Sequence, residues 1–218
     1  RAPVQALASI CYSFVEGVPG IRYASLGAVA AASPPVDIMF VGHSTYRIET
    51  PGGVVINTDY AGANGPGRVP DVVTMNNAHG THWTPNPDPG IDHVLRGWNP
   101  TGDGPAEHRR KVGDATIRNV PTDIRGYGGT RKDGNSIFVF EVADLCIGHL
   151  GHLHHVPTEE QFAALGRMDV LMVPVDGVYT MNVADMVGVV KRLKSSIVLP
   201  MHYFGAGSLD RFLAGMAD

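Results

Sequence analysis

The sequence predicts a single-domain α/β protein. Short paired strands joined by Gly/Pro turns fill the chain to about residue 147, and strand then alternates with helix to the end. With 218 residues, of which 44% are apolar and 17% charged, such a chain buries roughly 70% of its unfolded surface in one core. A third pattern concerns function: histidines recur just after predicted strands, where loops carry binding groups on a rigid scaffold.

Residues 1–35 read as a lead-in arm, loosely amphipathic over 4–15 and Ala/Gly/Pro-rich over 17–35, ahead of one domain over 36–218. Beginning on Arg1 rather than methionine, the arm fits a trimmed, exported precursor and points to the periplasm; a trimmed cytoplasmic chain fits the same residues. Strands over 36–41, 46–49 and 53–57 form a meander on short turns, and 72–75 is a buried strand. Residues 115–120 and the strictly alternating 135–142 make a second hairpin set with 145–147, which follows the turn pair Ala143-Asp144. The period then changes. Pro157-Thr-Glu-Glu-Gln161 carries a capping-box pattern ahead of a helix closed by Gly166, 170–175 is an apolar strand, Asn182 caps a helix over 183–194, and 197–199 is the last strand.

Several function classes drop out. No run of 18 apolar residues exists for a membrane-spanning helix. Lys and Arg number 17 against 21 Asp and Glu, a net charge of −4, so a nucleic-acid backbone has no basic surface to meet and a small-molecule substrate is expected. Cys11 and Cys146 are too few for a disulfide framework or a four-thiolate zinc site. Oligomeric state leaves no mark on the sequence.

Ten histidines are present, six of them within 76–82 and 149–155. His43, the pair His79/His82, the group His149 to His155, and His202 each follow a predicted strand, and the i, i+3 spacing of His79/His82 and His152/His155 lets paired rings face one way. Imidazole is the commonest neutral metal ligand, and clustered neutral rings need polar partners that one cation supplies together. His43, His93 and His108, taken singly, read as hydrogen-bonded loop or core groups and are set aside.

The order of Phe40-Val-Gly-His-Ser-Thr-Tyr46, Ile56-Asn-Thr-Asp59, Asp71 through His82, His149-Leu-Gly-His152, Asp169 through Pro174 and Pro200-Met-His202-Tyr203 resembles the metallo-β-lactamase superfamily, in particular its ascorbate-6-phosphate-lactonase-like branch, over about residues 36–204. The resemblance implies an αββα sandwich with one or two metal ions at the sheet edges, usually zinc, and hydrolysis by a metal-bound hydroxide. The family's HxHxDH signature falls on Asn77-Ala-His79-Gly-Thr-His82, so an asparagine replaces its first histidine and Thr81 its aspartate. The segment matching its third histidine, 120–125, contains none, and His152 stands where a metal-bridging aspartate is usual. The carried-over metal ligands are therefore His79, His82, His152 and His202, with His154 or His155 as possible replacements for one of them.

Two dications 3.5–4 Å apart repel by roughly 20 kcal/mol at an effective dielectric of 20, and no carboxylate in this ligand set offsets that. One zinc per chain is expected, although iron, manganese, nickel or copper also suit imidazoles. Three imidazoles leave zinc an open position for an activated water attacking an ester, lactone or phosphoester; four close it and make a structural or sensor site without catalysis. Asp59 is a candidate to orient a ligand imidazole, or else an ordinary turn residue beside Tyr60. Tyr203 is a candidate to orient substrate. Asp123, Arg125, Asp176 and Tyr179 are either pocket-lining or plain loop residues, and Asn77 binds substrate or holds its turn.

Overall fold

The computed structural model describes residues 9–12, 35–126 and 128–217; most of the predicted lead-in arm lies outside them. Two mixed sheets stack face to face, as the α/β sandwich requires. The first has strand order β1 (Asp37–Gly42), β2 (Thr45–Glu49), β3 (Val55–Asn57), β4 (Val72–Met75), β5 (His93–Arg96). The second runs β6 (Arg109–Val112), β7 (Ala115–Gly126), β8 (Gly129–Val142), β9 (Leu145–His149), β10 (Val170–Pro174), β11 (Ile197–Met201), and its neighbours also follow chain order. Hairpins give the antiparallel pairs, whereas β3–β4, β4–β5, β9–β10 and β10–β11 are parallel.

Alternating side chains explain the layers. Phe138 and Phe140 of β8 point between the sheets, where they meet Ile48, Ile56 and Val72 of the first sheet and Met172 of β10. Ile137 and Val139 point the other way, into a cluster with Leu165, Met186, Val190 and Phe212. That outer face is covered by α1 (Glu159–Leu165), α2 (Val183–Leu193) and α3 (Ala206–Ala217). Among the described residues, loops cover the outer face of the first sheet, with Tyr60, Trp83 and Trp98 packed on Val73 and Met75.

The predicted caps are present: Thr158 and Gln161 form a reciprocal capping box with Gly166 closing α1, and Asn182 accepts from the Asp185 amide at the start of α2. The β7–β8 hairpin is much longer than predicted, because Pro121, Asp123 and Gly134 read as loop residues yet sit within it and its register shift between Thr122 and Ile124. The strands β5 and β6 and helix α3 were not anticipated. β5 and β6 are four residues each, too short to show a period, and His93 belongs to β5.

The two cysteines, too few for a framework, form a single disulfide between Cys11 and Cys146. It is one of several ties holding residues 9–12 to the second sheet. Ser9 Oγ donates to Glu141, which also pairs with buried Arg118 at 2.8 Å. Arg118 in turn donates to the Ala164 and Leu165 carbonyls at the end of α1 and lies over the Tyr12 ring.

Candidate metal centre

Strand ends at one edge of the sandwich bring the histidines together. His43 sits in the β1–β2 turn, Asp59 follows β3, His79 and His82 follow β4, His152 follows β9, Asp176 follows β10 and His202 follows β11. A backbone hydrogen bond from His202 to the His43 carbonyl, 2.9 Å, joins the two sheets here. The loop holding His79 and His82 closes on itself, the His82 amide donating to the His79 carbonyl at 2.9 Å. His43, Asp59 and His202 adopt left-handed backbone, φ 49, 41 and 52, a strained state that clusters at functional sites when the surroundings enforce it.

The four predicted ligands are mutual neighbours. His82 and His152 have ring centroids 4.7 Å apart, His79 and His82 also 4.7 Å, His152 and His202 4.9 Å, and His79 and His152 5.1 Å. His43 joins them, 4.2 Å from His202. Ring nitrogens of His43, His79, His82 and His202 all lie within 4.8 Å of one another, an arrangement able to hold a metal. Setting His43 aside as an isolated loop histidine therefore needs correction: a lone histidine in sequence has its neighbours on other strands.

Several of the rings are held from behind. His82 donates from Nδ1 to Asp59 Oδ2 at 2.6 Å, with Ser44 Oγ at 3.2 Å. His202 Nδ1 lies 3.1 Å from Asp176 Oδ1, close enough for an ion pair but without hydrogen-bond geometry. His79 Nδ1 meets Thr81 Oγ1 at 2.8 Å, and His152 Nδ1 meets His154 Nε2 at 2.8 Å. The Nε2 atoms of His43, His82 and His152 are buried without a hydrogen-bond partner. A buried polar atom left unpaired costs about 1–3 kcal/mol, and a cation accepting these lone pairs removes that cost. The donor set fits a metal.

Electrostatics point the same way. Burial, reinforced by neighbouring histidines, lowers His43 and His79 to about 4 and depresses His152 further. Burial, then Arg125, lowers His154 to about 4. Neutral rings with free lone pairs at neutral pH are what a metal requires. Burial acts to raise Asp59, but His82, His149 and the hydrogen bonds of His82 and Asn76 outweigh it and keep the carboxylate ionised. Asp176 is likewise depressed against its burial by His202, Thr180 and backbone amides.

With this geometry in view, the beta-lactamase superfamily domain is the family whose profile matches residues 37–202. The chain belongs to the metallo-β-lactamase superfamily. A UPF0173 metal-dependent hydrolase of Pyrococcus furiosus is 24% identical over 199 residues, 77% of this chain and 84% of that protein. One from Pyrococcus horikoshii is 26% identical with the same coverages. The crystal structure of a presumed Zn-dependent hydrolase from Thermotoga maritima superposes with a TM-score of 0.60 at 29% identity, covering 81% of this chain and 84% of that one. A second structure, from Parabacteroides distasonis, shares the fold with a TM-score of 0.64 at 17% identity, covering 84% and 89%.

Within this superfamily fold the remaining candidates separate. His149 is buried and satisfied, its Nε2 against the Ser44 carbonyl and its Nδ1 accepting from Gly151. His155 accepts the Asp123 amide, and His108 contacts the Arg96 carbonyl. Asp123 accepts the Asp133 amide within the long hairpin, and Arg125 donates to the Val178 and Thr180 carbonyls. Asn77 contributes backbone only, its amide to Gly134 and its carbonyl to Arg131.

Asn76, one residue earlier and fully buried, donates to Asp59 at 2.9 Å and accepts the Ser136 amide at 2.7 Å. It ties the first sheet to the second, and only its polar character at a strand end could have signalled this. Tyr203 is 38% exposed; the ring against His43 and His202, 5.5 Å from each, is Phe204.

Proposed function

We propose that this protein is a metal-dependent hydrolase holding one metal ion, zinc in the simplest case, among His79, His82, His152 and His202, with His43 adjoining. The observation carrying this reading is the set of buried Nε2 atoms without partners on His43, His82 and His152, the last two on rings fixed through Nδ1. When bound, the ion supplies a Lewis acid and lowers the pKa of a coordinated water towards about 7.

The chain's residues prepare that site. Asp59 accepts the His82 Nδ1 proton, fixes the tautomer and raises the basicity of the opposite nitrogen. Asp176, itself held by the Val178, Tyr179 and Thr180 amides, places a carboxylate 3.1 Å from His202 Nδ1. His154 backs His152. Tyr203, exposed directly after His202, is assigned to substrate contact at the rim. Both nearby carboxylates being engaged behind histidines, none is free to bridge a second ion, which supports a single metal. The substrate is an ester, lactone or phosphoester, in keeping with the ascorbate-6-phosphate-lactonase-like branch that the sequence resembles.

A second reading has an observation of its own: five imidazoles at one edge are enough to close a tetrahedral shell, giving a structural or sensor site. Metal analysis by mass spectrometry on protein purified without chelator, beside His82→Ala and His152→Ala, tests the centre. About one equivalent, lost in both variants, is expected; two equivalents in this pocket overturn the mononuclear assignment, and none overturns the metal site. Full occupancy without turnover of any ester, lactone or phosphoester favours the structural reading.

The Cys11–Cys146 disulfide supports a periplasmic location, since such bonds persist in oxidising compartments.

A further inference from the structure

Beside the histidine cluster lies an open cleft of about 360 Å³, which Asp176, Val178, Tyr179, Phe204 and Arg211 help to line. Its size is that of a small-molecule site. Phe204 connects it to the metal centre, its ring 5.5 Å from both His43 and His202 and 5.6 Å, edge-on, from Tyr179. Val178, Tyr179 and Phe204 are 69%, 60% and 66% exposed. Three neighbouring large apolar side chains left in water beside a catalytic edge mark a surface that a ligand covers.

The polar groups at the cleft differ in availability. Asp176 is fully engaged by His202, Thr180 and three backbone amides. Arg211, by contrast, makes no ion pair or hydrogen bond among the described residues, not even with its helix neighbour Asp210. The cleft thus joins an apolar aromatic wall to a cation that has no partner among the described residues, with the metal centre alongside.

We infer that this cleft is the substrate's recognition subsite and that the substrate is an anionic ester or lactone, with an apolar body packed on Tyr179 and Phe204 and a carboxylate or phosphate paired with Arg211. The inference rests on the hydrolase reading and adds the substrate class. Water adds across the acyl C–O bond, leaving a carboxylate, an alcohol and one released proton, while the remote anion stays on Arg211. Arg211 is a specificity residue that takes no part in bond breaking.

The test compares the metal-loaded full chain on nitrophenyl glutarate monoester and on neutral nitrophenyl valerate. A higher kcat/KM for the anionic ester is expected. That ratio falls about fivefold in Arg211→Ala, the scale of one exposed ion pair, reverses in Arg211→Glu, is largely kept in Arg211→Lys, and is unchanged by Arg109→Ala in β6. Equal rates on both esters in the parent protein, or a ratio indifferent to Arg211→Glu, overturn the subsite.

Should neither ester be hydrolysed, calorimetry on metal-free protein decides the subsite independently of the hydrolase reading. Phenylbutyrate binding more tightly than phenylbutyramide, and weakened by both Arg211→Ala and Phe204→Ala, sustains it. Equal binding of the two overturns it.

Discussion

His82 Nδ1 and Asp59 Oδ2 stand 2.6 Å apart with neither side chain exposed to water. This contact turns a histidine into an oriented donor, because the proton is held on Nδ1 and the buried Nε2 keeps its lone pair. Asp59→Asn tests it with little backbone cost, since asparagine tolerates the left-handed φ of 41 found there. Metal affinity, measured by competition with a chromophoric chelator, is expected to fall about 10–100-fold, as for other partners of metal-bound histidines. Unchanged affinity would remove Asp59 from the site.

Gly151 tests how packing reaches the same contact. It adopts φ +61, and a Cβ there would run into Asn76 Nδ2 and Asn135 Oδ1. Asn76 donates to Asp59, and Asn135 accepts the His152 amide at 2.7 Å. Gly151→Ala should therefore cost about 2–4 kcal/mol in urea unfolding and also weaken metal binding, although residue 151 touches no metal. Gly80→Ala, with open space around its Cβ position, should leave stability within about 0.5 kcal/mol of the parent.

Asn76→Asp replaces the donor to Asp59 with a second carboxylate in a buried site. Loss of the hydrogen bond and like-charge repulsion together are expected to lower stability by about 2–4 kcal/mol at neutral pH. The deficit should shrink as acid protonates one carboxyl, whereas a pH-independent deficit would mean that repulsion contributes nothing.

Acid should destabilise the metal-free protein in two stages. Burial, reinforced by neighbouring histidines and for His154 by Arg125, lowers His43, His79 and His154 to about 4, whereas unfolded histidine titrates near 6.5. Between those values the unfolded chain binds more protons, so stability rises with pH. Their contribution is complete above pH 6.5 and is lost as pH falls towards 4. Asp59 and Asp176, held below the carboxylate range, add stability that disappears only in stronger acid. Urea midpoints from pH 7 to 3 check this, and a flat profile between 6.5 and 4 would contradict it.

The disulfide closes 135 residues of sequence separation. Reduction, or Cys11→Ser, should lower stability by about 3–5 kcal/mol through the unfolded chain's entropy. Part of the loss comes from freeing Ser9 from the buried Glu141–Arg118 pair, so Ser9→Ala in the oxidised protein should show a smaller share of it, about 1 kcal/mol.

Local rules determined much of this protein in advance. Thr158, Gln161 and Gly166 specify the ends of α1 through the bonds they make to nearby amides, and the alternation over 135–142 specifies β8, since both depend on neighbours in sequence. The histidines at strand ends announced a metal-type edge for the same reason. Tertiary structure alone decided which of them meet. His43 enters the cluster because the β1 and β11 ends are joined by one hydrogen bond, while His149, in an equally suggestive segment, turns to the Ser44 carbonyl. Asn76 and Asp176 look like ordinary turn residues until the neighbouring strands β3 and β11 deliver Asp59 and His202 to them. Such contacts form between groups many residues apart in sequence, so their partners are set by the order of strands within each sheet and by the stacking of the two sheets rather than by any local pattern.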